Sequence, residues 1–599
     1  MKNIKLSHED YQIFLLKALL WLGLAWGGFA FALVGFFYAS LIWVLFGAAA
    51  IYFTKKALDI GLPIRISREL LTVSIVLLVV VISFSAFSTP SVFTGRDQGS
   101  FSTAAISLAQ NHQLKFSTPT SDAFFKLHES GRALNFPGFY YTKSGELVTQ
   151  FSLVYIAWLA LFFAIFGVTG FAIANGLLLY TFFLSFYLLL RLFLKTSSAW
   201  PMMLLTVTSS TFMWFSKFTL SENMALAVLW TSILALMLFL KNQRKLYYLV
   251  LLFSLFLLCF TRIEGIAFLI ATVIIISLNK EARAFFQEHI WLRFFLPMLI
   301  LLGVFIANIY VDVYFYKEIL KAIMPTVSMP QAKYLGEIKN NALPAFYTGK
   351  IFYLYGLLGF FIFGAVGAAF TSWKKNLHKL VPFFVILPTL IYFFDSQISP
   401  DHPWMLRRFA FSLFPAAIFY TGLVFGKLFE IAPHEKKLSA PRVLAGFIFA
   451  ALLAMNLPAF LKYFAYSENA NLLTQVQTLS NKFSDNDLIL IDQQASGDGW
   501  SMLAGPMNSL YGKNAVYFFN NQDLARLDTK NFSNVYLIAP SSKVPFYQSS
   551  TIGEKLKPAY NYKLSTTRLE AKQSNTLDGI TLPERKDINI TGEIFKVTK

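Results

Sequence analysis

Cysteine, charge and acidic side chains are all scarce in this sequence of 599 residues. Only 14% of the residues are charged, against roughly 25% in an ordinary soluble domain, whereas 56% are hydrophobic. With a mean hydropathy of +0.55, this composition excludes a large water-soluble enzyme. The single cysteine, Cys259, excludes an intramolecular disulfide, and no cleavable signal peptide is visible before the first apolar segment.

The shortage of acidic residues leaves a net charge of +19, which by itself would be compatible with nucleic-acid binding. From residue 465 onward, however, 14 basic residues face 13 acidic ones, so the excess lies in the apolar part of the chain. There the basic residues cluster in short loops, as the positive-inside rule predicts for cytoplasmic loops of a membrane protein. No nucleic-acid partner is therefore implied. The basic loops contain Lys55, Lys56, Arg65 and Arg68; Lys195; Lys241, Arg244 and Lys245; Lys280 and Arg283; Lys374, Lys375 and Lys379; and Lys436, Lys437 and Arg442.

Long apolar runs predict a polytopic α-helical membrane protein with about thirteen transmembrane helices, because about 20 apolar residues cross a bilayer. The predicted spans are 11–31, 33–53, 70–89, 171–194, 200–215, 223–240, 246–260, 265–278, 291–312, 347–370, 380–394, 407–428 and 442–461. With a cytoplasmic N-terminus, the longer or near-neutral loops 89–150, 216–222, 261–265, 312–345 and 395–404 face outward.

The apolar stretch 151–166 conflicts with this topology, because a crossing there would place Lys195 and every later basic loop outside. We therefore predict a helix that lies in the interface, or dips in and returns, beneath loop 89–150. The alternative is that 151–166 crosses the membrane and that another of the predicted spans is assigned incorrectly.

Composition changes abruptly after Leu461, which predicts a transmembrane domain over residues 1–464 and a soluble α/β domain on the outer face over residues 465–599. Short strand-like runs at 488–492, 515–519 and 535–539 alternate with helix-compatible stretches. The glycine-containing segment 495–500 follows the first strand, where open α/β sheets place ligands. It is either a binding loop for an acceptor glycan or a turn.

The segment Gly95-Arg96-Asp97-Gln98-Gly99 opens loop 89–150 just after the third predicted span. A carboxylate at the junction of membrane and water is suited to deprotonate an acceptor hydroxyl, as a general base for sugar transfer must do. Two nearby glycines let the backbone approach a ligand closely. The alternative is that Asp97 caps a turn or pairs with Arg96.

A long outer loop with an acidic residue just past a span, many further spans and an outer-face C-terminal domain resemble the C-type membrane glycosyltransferases. The resemblance is to the bacterial branch that includes relatives of the dolichyl-phosphate-mannose protein mannosyltransferases and the lipid A aminoarabinose transferase. It implies that Asp97 is the catalytic base, that the donor is a polyprenyl-phosphate sugar, and that transfer occurs on the outer face of a bacterial inner membrane. The family's second nearby acid and His-Pro-Pro-like element are absent, with Asn135-Phe136-Pro137-Gly138 instead, and Asn175 stands near the place of a usual arginine.

Glu222 stands at the outer end of the predicted span 223–240 and resembles a second active-site acid of that family. With Asp97 it would orient the acceptor or hold Mg²⁺ or Mn²⁺, whose shell would need donor phosphate and water. Ser221 and Glu222 equally suit a helix start.

Arg262 and Glu264 separate two apolar runs too short to cross a bilayer, so their turn is expected below the outer surface. Ionisable groups at that depth are costly unless paired or functional. Either the two pair to stabilise the turn, or Arg262 faces the donor phosphate and Glu264 holds Arg262 in place.

Arg407 and Arg408 begin a late span from its outer end, against the positive-inside preference. Guanidinium groups bind phosphate through bidentate hydrogen bonds, so these arginines are candidates for the donor phosphate, with His402 assisting. The family has an arginine followed by a proline at such a place, and Pro415 fits. Binding of lipid headgroups is the alternative. Loop 312–345, with Lys317, Lys321 and Lys333, is either a lid over the donor or an interfacial anchor.

The sequence thus favours an enzyme that moves a sugar from a polyprenyl phosphate to a lipid, glycan or protein acceptor, in contact with membrane lipids. A transporter or lipid flippase would also have many spans and intramembrane charges, but no inverted repeat is visible and the long loop and tail would be unexplained. A glycan ligase that uses a pyrophosphate-linked oligosaccharide would differ in the donor alone.

Overall fold

The computed structural model of the chain describes residues 6–59, 66–93, 97–288, 296–311, 345–373, 377–393, 402–431, 439–497, 503–571 and 579–598. Arg96, the lysines of loop 312–345 and residues 498–500 of the predicted glycine-containing segment lie outside them.

In the described residues before 464, the regular structure is helical apart from one small sheet, which loop 89–150 contributes. The helices of this part are α1 His8–Leu33, α2 Ala39–Asp59, α3 Arg68–Ser85, α4 Asp97–Asn111, α5 Pro119–His128, α6 Leu153–Phe166, α7 Thr169–Arg191, α8 Thr196–Val207, α9 Ser210–Ser216, α10 Ser221–Asn242, α11 Lys245–Cys259, α12 Glu264–Leu278, α13 Lys280–Gln287, α14 Leu296–Val311, α15 Ala345–Leu354, α16 Leu358–Trp373, α17 Val381–Ile386, α18 Arg407–Ala410, α19 Leu413–Ile431 and α20 Ala440–Tyr463. Three 3₁₀ helices accompany them, at Leu377–Leu380, Leu387–Phe393 and Trp404–Leu406. The small antiparallel sheet has the order β1 Gly131–Arg132, β2 Phe139–Tyr141 and β3 Leu147–Thr149.

Six of the described helices are long and apolar enough to cross a membrane, or up to nine if each bent helix pair counts as one span. These helices are those of an integral membrane protein. The predicted number of about thirteen is not confirmed within the described residues, where several predicted spans are short or broken. The predicted span 200–215, for example, is divided between α8 and α9, and 246–260 forms the 15-residue helix α11.

Helix α7 defines two ends of the bundle. Near its beginning, the Asn175 amide donates to the backbone carbonyls of Ser216 and Phe218 in the segment before α10. At its other end, Arg191 pairs with Glu69 at the beginning of α3. The 16 residues from Asn175 to Arg191 span about 24 Å of helix. We call the end around Asn175 the site end and the end around Arg191 the opposite end.

Helix α6, in the stretch that conflicted with the predicted topology, contacts the site end at both of its own ends. The Ser152 hydroxyl before it donates to the carbonyl of Thr261, and the Trp43 indole near the beginning of α2 donates to the carbonyl of Leu161. These contacts agree with a helix that dips in and returns. Residues 153–162 are all buried within the protein.

The C-terminal part contains a five-stranded mixed sheet of order β5-β4-β6-β8-β7. All three strands predicted from the sequence are found, and β4 has the predicted bounds. Strands β4, β5 and β6 are parallel, β8 pairs antiparallel with β6, and β7 pairs antiparallel with β8. The strands are β4 Leu488–Asp492, β5 Asn514–Phe518, β6 Val535–Pro540, β7 Leu556–Glu570 and β8 Glu584–Val597, and the helices are α21 Leu472–Ser480, α22 Ala504–Ser509, α23 Asp523–Arg526 and α24 Val544–Gln548, with a 3₁₀ turn at Gly553–Lys555.

Loop 89–150 packs against this sheet as well as against the bundle. Ala123 and Phe124 of α5 share a buried apolar cluster with strand residues such as Leu490 and Leu537. Polar contacts accompany this packing, since the Asn135 amide donates to the carbonyl of Tyr517 and the Gln110 amide to that of Ser509. The loop therefore connects the membrane helices to the C-terminal sheet.

Lys217, buried between α9 and α10, also joins the two parts. Its ammonium donates to the backbone carbonyls of Tyr463, Phe464 and Tyr466 at distances between 2.7 and 2.9 Å. Carbonyls at the C-terminus of a helix lack partners within it and carry partial negative charge, so a lysine there caps α20. Burial lowers the pKa of Lys217 to about 7, and the three carbonyl oxygens favour its charged form.

Candidate active site

Asp97 is the first residue of α4 and lies at the site end. The first turn of α4 is attached to the segment before α10, because the Thr219 hydroxyl donates to the Gln98 carbonyl (2.7 Å) and pairs with the Ser102 hydroxyl (2.8 Å). A carboxylate at a helix beginning is also favoured by the helix dipole. These contacts hold the Asp97 carboxylate beside the beginning of α10.

Glu222, in the first turn of α10, is buried and faces the turn between α11 and α12. Its Oε1 lies 2.9 Å from Nη1 of Arg262, whose same nitrogen is 3.3 Å from the hydroxyl of Ser221. The Arg262 guanidinium also stacks on the ring of Phe411, at 4.9 Å from its centroid. The beginning of α10 and the turn before α12 are thus joined by a buried ion pair.

Arg407 links Asp97 to Glu222. Its Nη1 donates to Asp97 Oδ2 at 2.5 Å, and its Nε lies 3.6 Å from Glu222 Oε1. The residue begins α18 directly after a 3₁₀ turn in which Met405 and Leu406 are buried. Burial of these neighbours fixes the turn, and the guanidinium is left between two carboxylates from other segments.

Glu264 also pairs with Arg262 and is the last of the connected charged residues. Arg262 donates to it in bidentate fashion, Nη2 to Oε1 at 2.8 Å and Nε to Oε2 at 3.2 Å, and the Tyr392 hydroxyl donates to Oε1. The Arg408 guanidinium lies over the Tyr392 ring, at 5.5 Å from the centroid. Among the described residues Arg408 forms no ion pair with a carboxylate.

The result is an alternating row of carboxylates and guanidiniums, Asp97–Arg407–Glu222–Arg262–Glu264, which we call the site cluster. Its accessibility is graded: the side chain of Asp97 is 39% exposed and that of Arg407 27%, whereas Glu222 is 6% exposed. A reactant therefore meets Asp97 and Arg407 first. Glu222 lies beside both arginines, at 2.9 Å from Arg262 and 3.6 Å from Arg407.

The sequence selected all five residues of the site cluster, and the structure brings them together. Both sequence interpretations of the Arg262 turn are compatible with it, because Glu264 pairs with Arg262 inside the cluster. His402 is buried, with its Nδ1 3.1 Å from the Tyr355 hydroxyl. A part for His402 in phosphate binding, and one for Arg96 beside Asp97, stay predictions.

A divalent cation between Asp97 and Glu222 does not fit this arrangement, because the Arg407 guanidinium joins the two carboxylates. Over the described ranges there is no group of three or more His, Cys, Asp or Glu side chains that could hold a metal ion. Mg²⁺ prefers six oxygen ligands, so a cation here would need Arg407 to move away and phosphate and water to complete the shell.

Sequence reasoning missed Tyr392 and Lys217. Tyr392 stands in an apolar run in which nothing distinguishes it from an interfacial aromatic residue. Lys217 did carry a signal, as a lone cation in a short loop predicted to face outward, where lysine is unexpected.

A scan against family models and a search of curated proteins each gave no match. Two solved structures are similar to this chain: the crystal structures of ArnT from Cupriavidus metallidurans bound to undecaprenyl phosphate and in the apo state. Both are 10% identical in sequence and cover 87% of this chain, with 97% of the first structure and 98% of the second aligned at TM-scores of 0.48 and 0.47. ArnT is the lipid A aminoarabinose transferase, so the search retrieves the branch that the sequence resembles. With TM-scores below 0.5, this similarity carries no conclusion about the function of the chain.

Proposed function

We propose that this protein is a membrane glycosyltransferase that moves a sugar from a polyprenyl-phosphate donor to a hydroxyl-bearing acceptor at the site end of the bundle. The site cluster is the observation that carries the proposal. It combines an accessible carboxylate with two adjacent arginines, 407 and 408, at the end of a helical membrane bundle. These are the groups needed to accept a proton and to bind a phosphate.

In the proposed reaction the acceptor hydroxyl gives its proton to the carboxylate of Asp97. Its oxygen then bonds to the anomeric carbon of the sugar, and the bond between that carbon and the phosphate oxygen breaks. The electron pair leaves with the polyprenyl phosphate, whose growing negative charge is stabilised by guanidinium groups. Arg408 makes the first contact with the phosphate, since no carboxylate among the described residues pairs with it.

Arg407 has a second task in this scheme, because in the free protein it binds the proposed base. When donor phosphate approaches, Arg407 exchanges Asp97 for a phosphate oxygen, and the freed carboxylate accepts the proton. Glu222 and Arg262 stay in place, because they are buried and form the fixed part of the cluster. Binding of the donor is thereby coupled to release of the base.

The site end belongs, in this proposal, to the outer face of a bacterial inner membrane, together with loop 89–150 and residues 465–599. The support is the distribution of basic loops, which places the opposite end in the cytoplasm. The transmembrane domain extends over residues 1–464.

The test is incubation of the purified protein with a panel of polyprenyl-phosphate sugars and a membrane-lipid extract that supplies acceptors. Release of free polyprenyl phosphate, with the sugar recovered on another molecule, is the expected result. Movement of the intact donor between the two leaflets of vesicles without release would instead identify a flippase. Turnover of pyrophosphate-linked donors alone would identify a ligase.

A further inference from the structure

A chain of hydrogen bonds joins the C-terminal part to the segment before Arg407. The Tyr463 hydroxyl, at the end of α20, donates to the backbone carbonyl of Pro583 at 2.9 Å. The Tyr355 hydroxyl forms a hydrogen bond with that of Tyr463 and lies 3.1 Å from Nδ1 of His402. The three side chains are all buried. We call Pro583, Tyr463, Tyr355 and His402 the hydrogen-bond chain.

Each hydroxyl of the hydrogen-bond chain has one hydrogen, and this fixes the direction of every bond. Tyr463 gives its hydrogen to the Pro583 carbonyl, so its oxygen accepts from Tyr355. The hydrogen of Tyr355 is then used, and its oxygen accepts from the Nδ1–H group of His402. The bonds therefore run in one direction, from the imidazole to the carbonyl. A buried chain in which each of these donors has an acceptor makes the elements that it joins rigid relative to one another.

One end of the hydrogen-bond chain belongs to a long hairpin of the C-terminal part. Pro583 directly precedes β8, and β8 pairs antiparallel with β7 from one end to the other. Residues 592–597 of β8 also pair with β6 in the five-stranded sheet. At about 3.3 Å per residue, the 14 residues of β8 extend over about 46 Å. The hairpin β7–β8 thus reaches from the sheet to the end of α20.

The other end of the hydrogen-bond chain lies in the segment that presents the two arginines. Only four residues separate His402 from Arg407, and three of them form the 3₁₀ turn Trp404–Leu406. The Trp404 ring packs edge-on against that of Phe218, with the centroids 4.8 Å apart. A change in the position of His402 therefore shifts or loosens the short segment from which the guanidiniums extend.

We infer that the hairpin β7–β8 positions Arg407 and Arg408 through the hydrogen-bond chain, and that it thereby sets the affinity for the donor phosphate. The inference rests on the proposed function, because it assigns a control over donor binding in that reaction. A guanidinium binds phosphate through a fixed fork of N–H groups, so a small displacement of its backbone weakens the contact. Tyr355 and Tyr463 are positioning residues in this account, and neither belongs to the site cluster.

The test removes single hydroxyls from the full-length protein in vesicles of phosphatidylethanolamine and phosphatidylglycerol. Tyr463→Phe breaks the bond to Pro583 and keeps the backbone carbonyl that Lys217 binds. In folded protein, affinity for undecaprenyl phosphate should fall about two- to tenfold, the usual contribution of one hydrogen bond. Tyr355→Phe should give a similar loss. The double variant should lose no more than Tyr355→Phe alone, because one break already interrupts the chain. Turnover at saturating donor should stay unchanged.

Tyr562→Phe is the matched control. The Tyr562 hydroxyl is buried in β7 of the same hairpin and donates to the Ala495 carbonyl at 3.2 Å, so the variant loses the same kind of bond outside the hydrogen-bond chain. It should bind undecaprenyl phosphate as the wild type does. Equal losses in the Tyr562→Phe and Tyr463→Phe variants would overturn the inference. Unchanged affinity in both Tyr463→Phe and Tyr355→Phe would overturn it as well.

Two replacements of His402 distinguish positioning from direct contact with phosphate. The amide nitrogen of asparagine takes roughly the place of Nδ1, whereas that of glutamine takes roughly the place of Nε2. His402→Asn should keep the bond to Tyr355 and most of the affinity, and His402→Gln should lose both. Retention of affinity by His402→Gln alone would show that the imidazole touches the phosphate, and would overturn its role as a positioning residue.

Hydrogen exchange separates this inference from the proposed function, because it needs no substrate. The backbone amides of residues 404–410 should exchange faster in Tyr463→Phe than in the wild type or in Tyr562→Phe. Unchanged exchange in Tyr463→Phe would overturn the inference, whatever the wild-type protein binds. Failure of the wild-type protein to bind undecaprenyl phosphate, or to release polyprenyl phosphate from any donor, would instead refute the proposed function, even where the exchange differs as expected.

Discussion

Two groups of paired opposite charges lie at the two ends of α7. They differ in how much of their charged side chains is accessible to a ligand. At the opposite end, Glu69 accepts from Arg191 Nε and from the Tyr187 hydroxyl, each at 2.6 Å, and Arg191 also donates to the Leu194 carbonyl. The side chains of Glu69 and Arg191 are 4% and 9% exposed. Each charge has its partners within the group, and no accessible side remains for a ligand.

The site cluster, unlike the group at the opposite end, has charged side chains that a ligand can reach. Five charged residues from four segments share partners, and its outermost members, Asp97 and Arg407, remain partly accessible. Buried ion pairs are weak evidence for stability, and intramembrane charges often mark function. Burial of opposite charges therefore does not distinguish a structural ion pair from a functional one. Accessibility of one end of the row of charges does distinguish them.

The largest effect is expected from accessibility, because the two ends should lie on opposite sides of the membrane. In a Cys259→Ser background, cysteines introduced at Ser130 and Ser549 should react with an impermeant thiol reagent in intact cells. A cysteine at Ser197, which is exposed beside the opposite end, should react only after the cells are opened. Protection of both outer positions in folded protein would contradict the assignment of the site end to the outer face.

Replacing arginines at the site end should lower the affinity for the donor, whereas replacing the arginine at the opposite end should not. Replacing Arg407 and Arg408 together by Gln should weaken binding of undecaprenyl phosphate about 10- to 100-fold, because hydrogen bonds to a charged phosphate contribute about 1.5 to 3 kcal/mol. Lysine at either position should restore only part of the affinity, since it lacks the bidentate geometry. Arg191→Gln is the control and should bind normally in its folded fraction; equal losses at both ends would argue against a phosphate site at the site cluster.

Glu69→Gln should have the reverse effect, on stability and not on turnover. Leaving Arg191 buried without its carboxylate should cost about 3 to 5 kcal/mol of unfolding free energy. We expect a lower apparent Tm in detergent, with turnover per folded molecule unchanged. Turnover that falls much further than the folded fraction would mean that the opposite end takes part in the reaction.

Chelation of divalent cations should have the smallest effect. Since the Arg407 guanidinium already joins Asp97 and Glu222, we expect turnover in excess EDTA to stay close to its initial value. A loss that added Mg²⁺ or Mn²⁺ restores would show that Arg407 moves away to admit a cation.

The charged residues of the site cluster could be found in the sequence one by one, because each stands where charge is unexpected in an apolar chain. Their convergence could not, since Asp97 and Arg407 are 310 residues apart and no spacing records their contact. For the same reason Glu69 passed unnoticed beside Arg68, as its partner lies 122 residues later.

The count of spans illustrates a second limit. Hydropathy identifies apolar runs, but it does not show which helices α6 packs against, or that 200–215 is divided between α8 and α9. Packing against other helices decides both, and buried helices are apolar on all sides whether or not they cross. The short apolar runs that form the three parallel strands, in contrast, are local features of the sequence, and one of them is sufficient to place β4.

The central claim, that the open site cluster is the catalytic one, is tested most directly by Asp97→Asn. The change keeps the shape of the side chain and removes most of its basicity. With a polyprenyl-phosphate sugar that the wild-type protein uses, turnover should fall by about 10² to 10⁴, the usual contribution of a general base, while undecaprenyl phosphate still binds. Turnover close to that of the wild type, in folded protein, would contradict the account and leave Asp97 as a residue that only begins a helix.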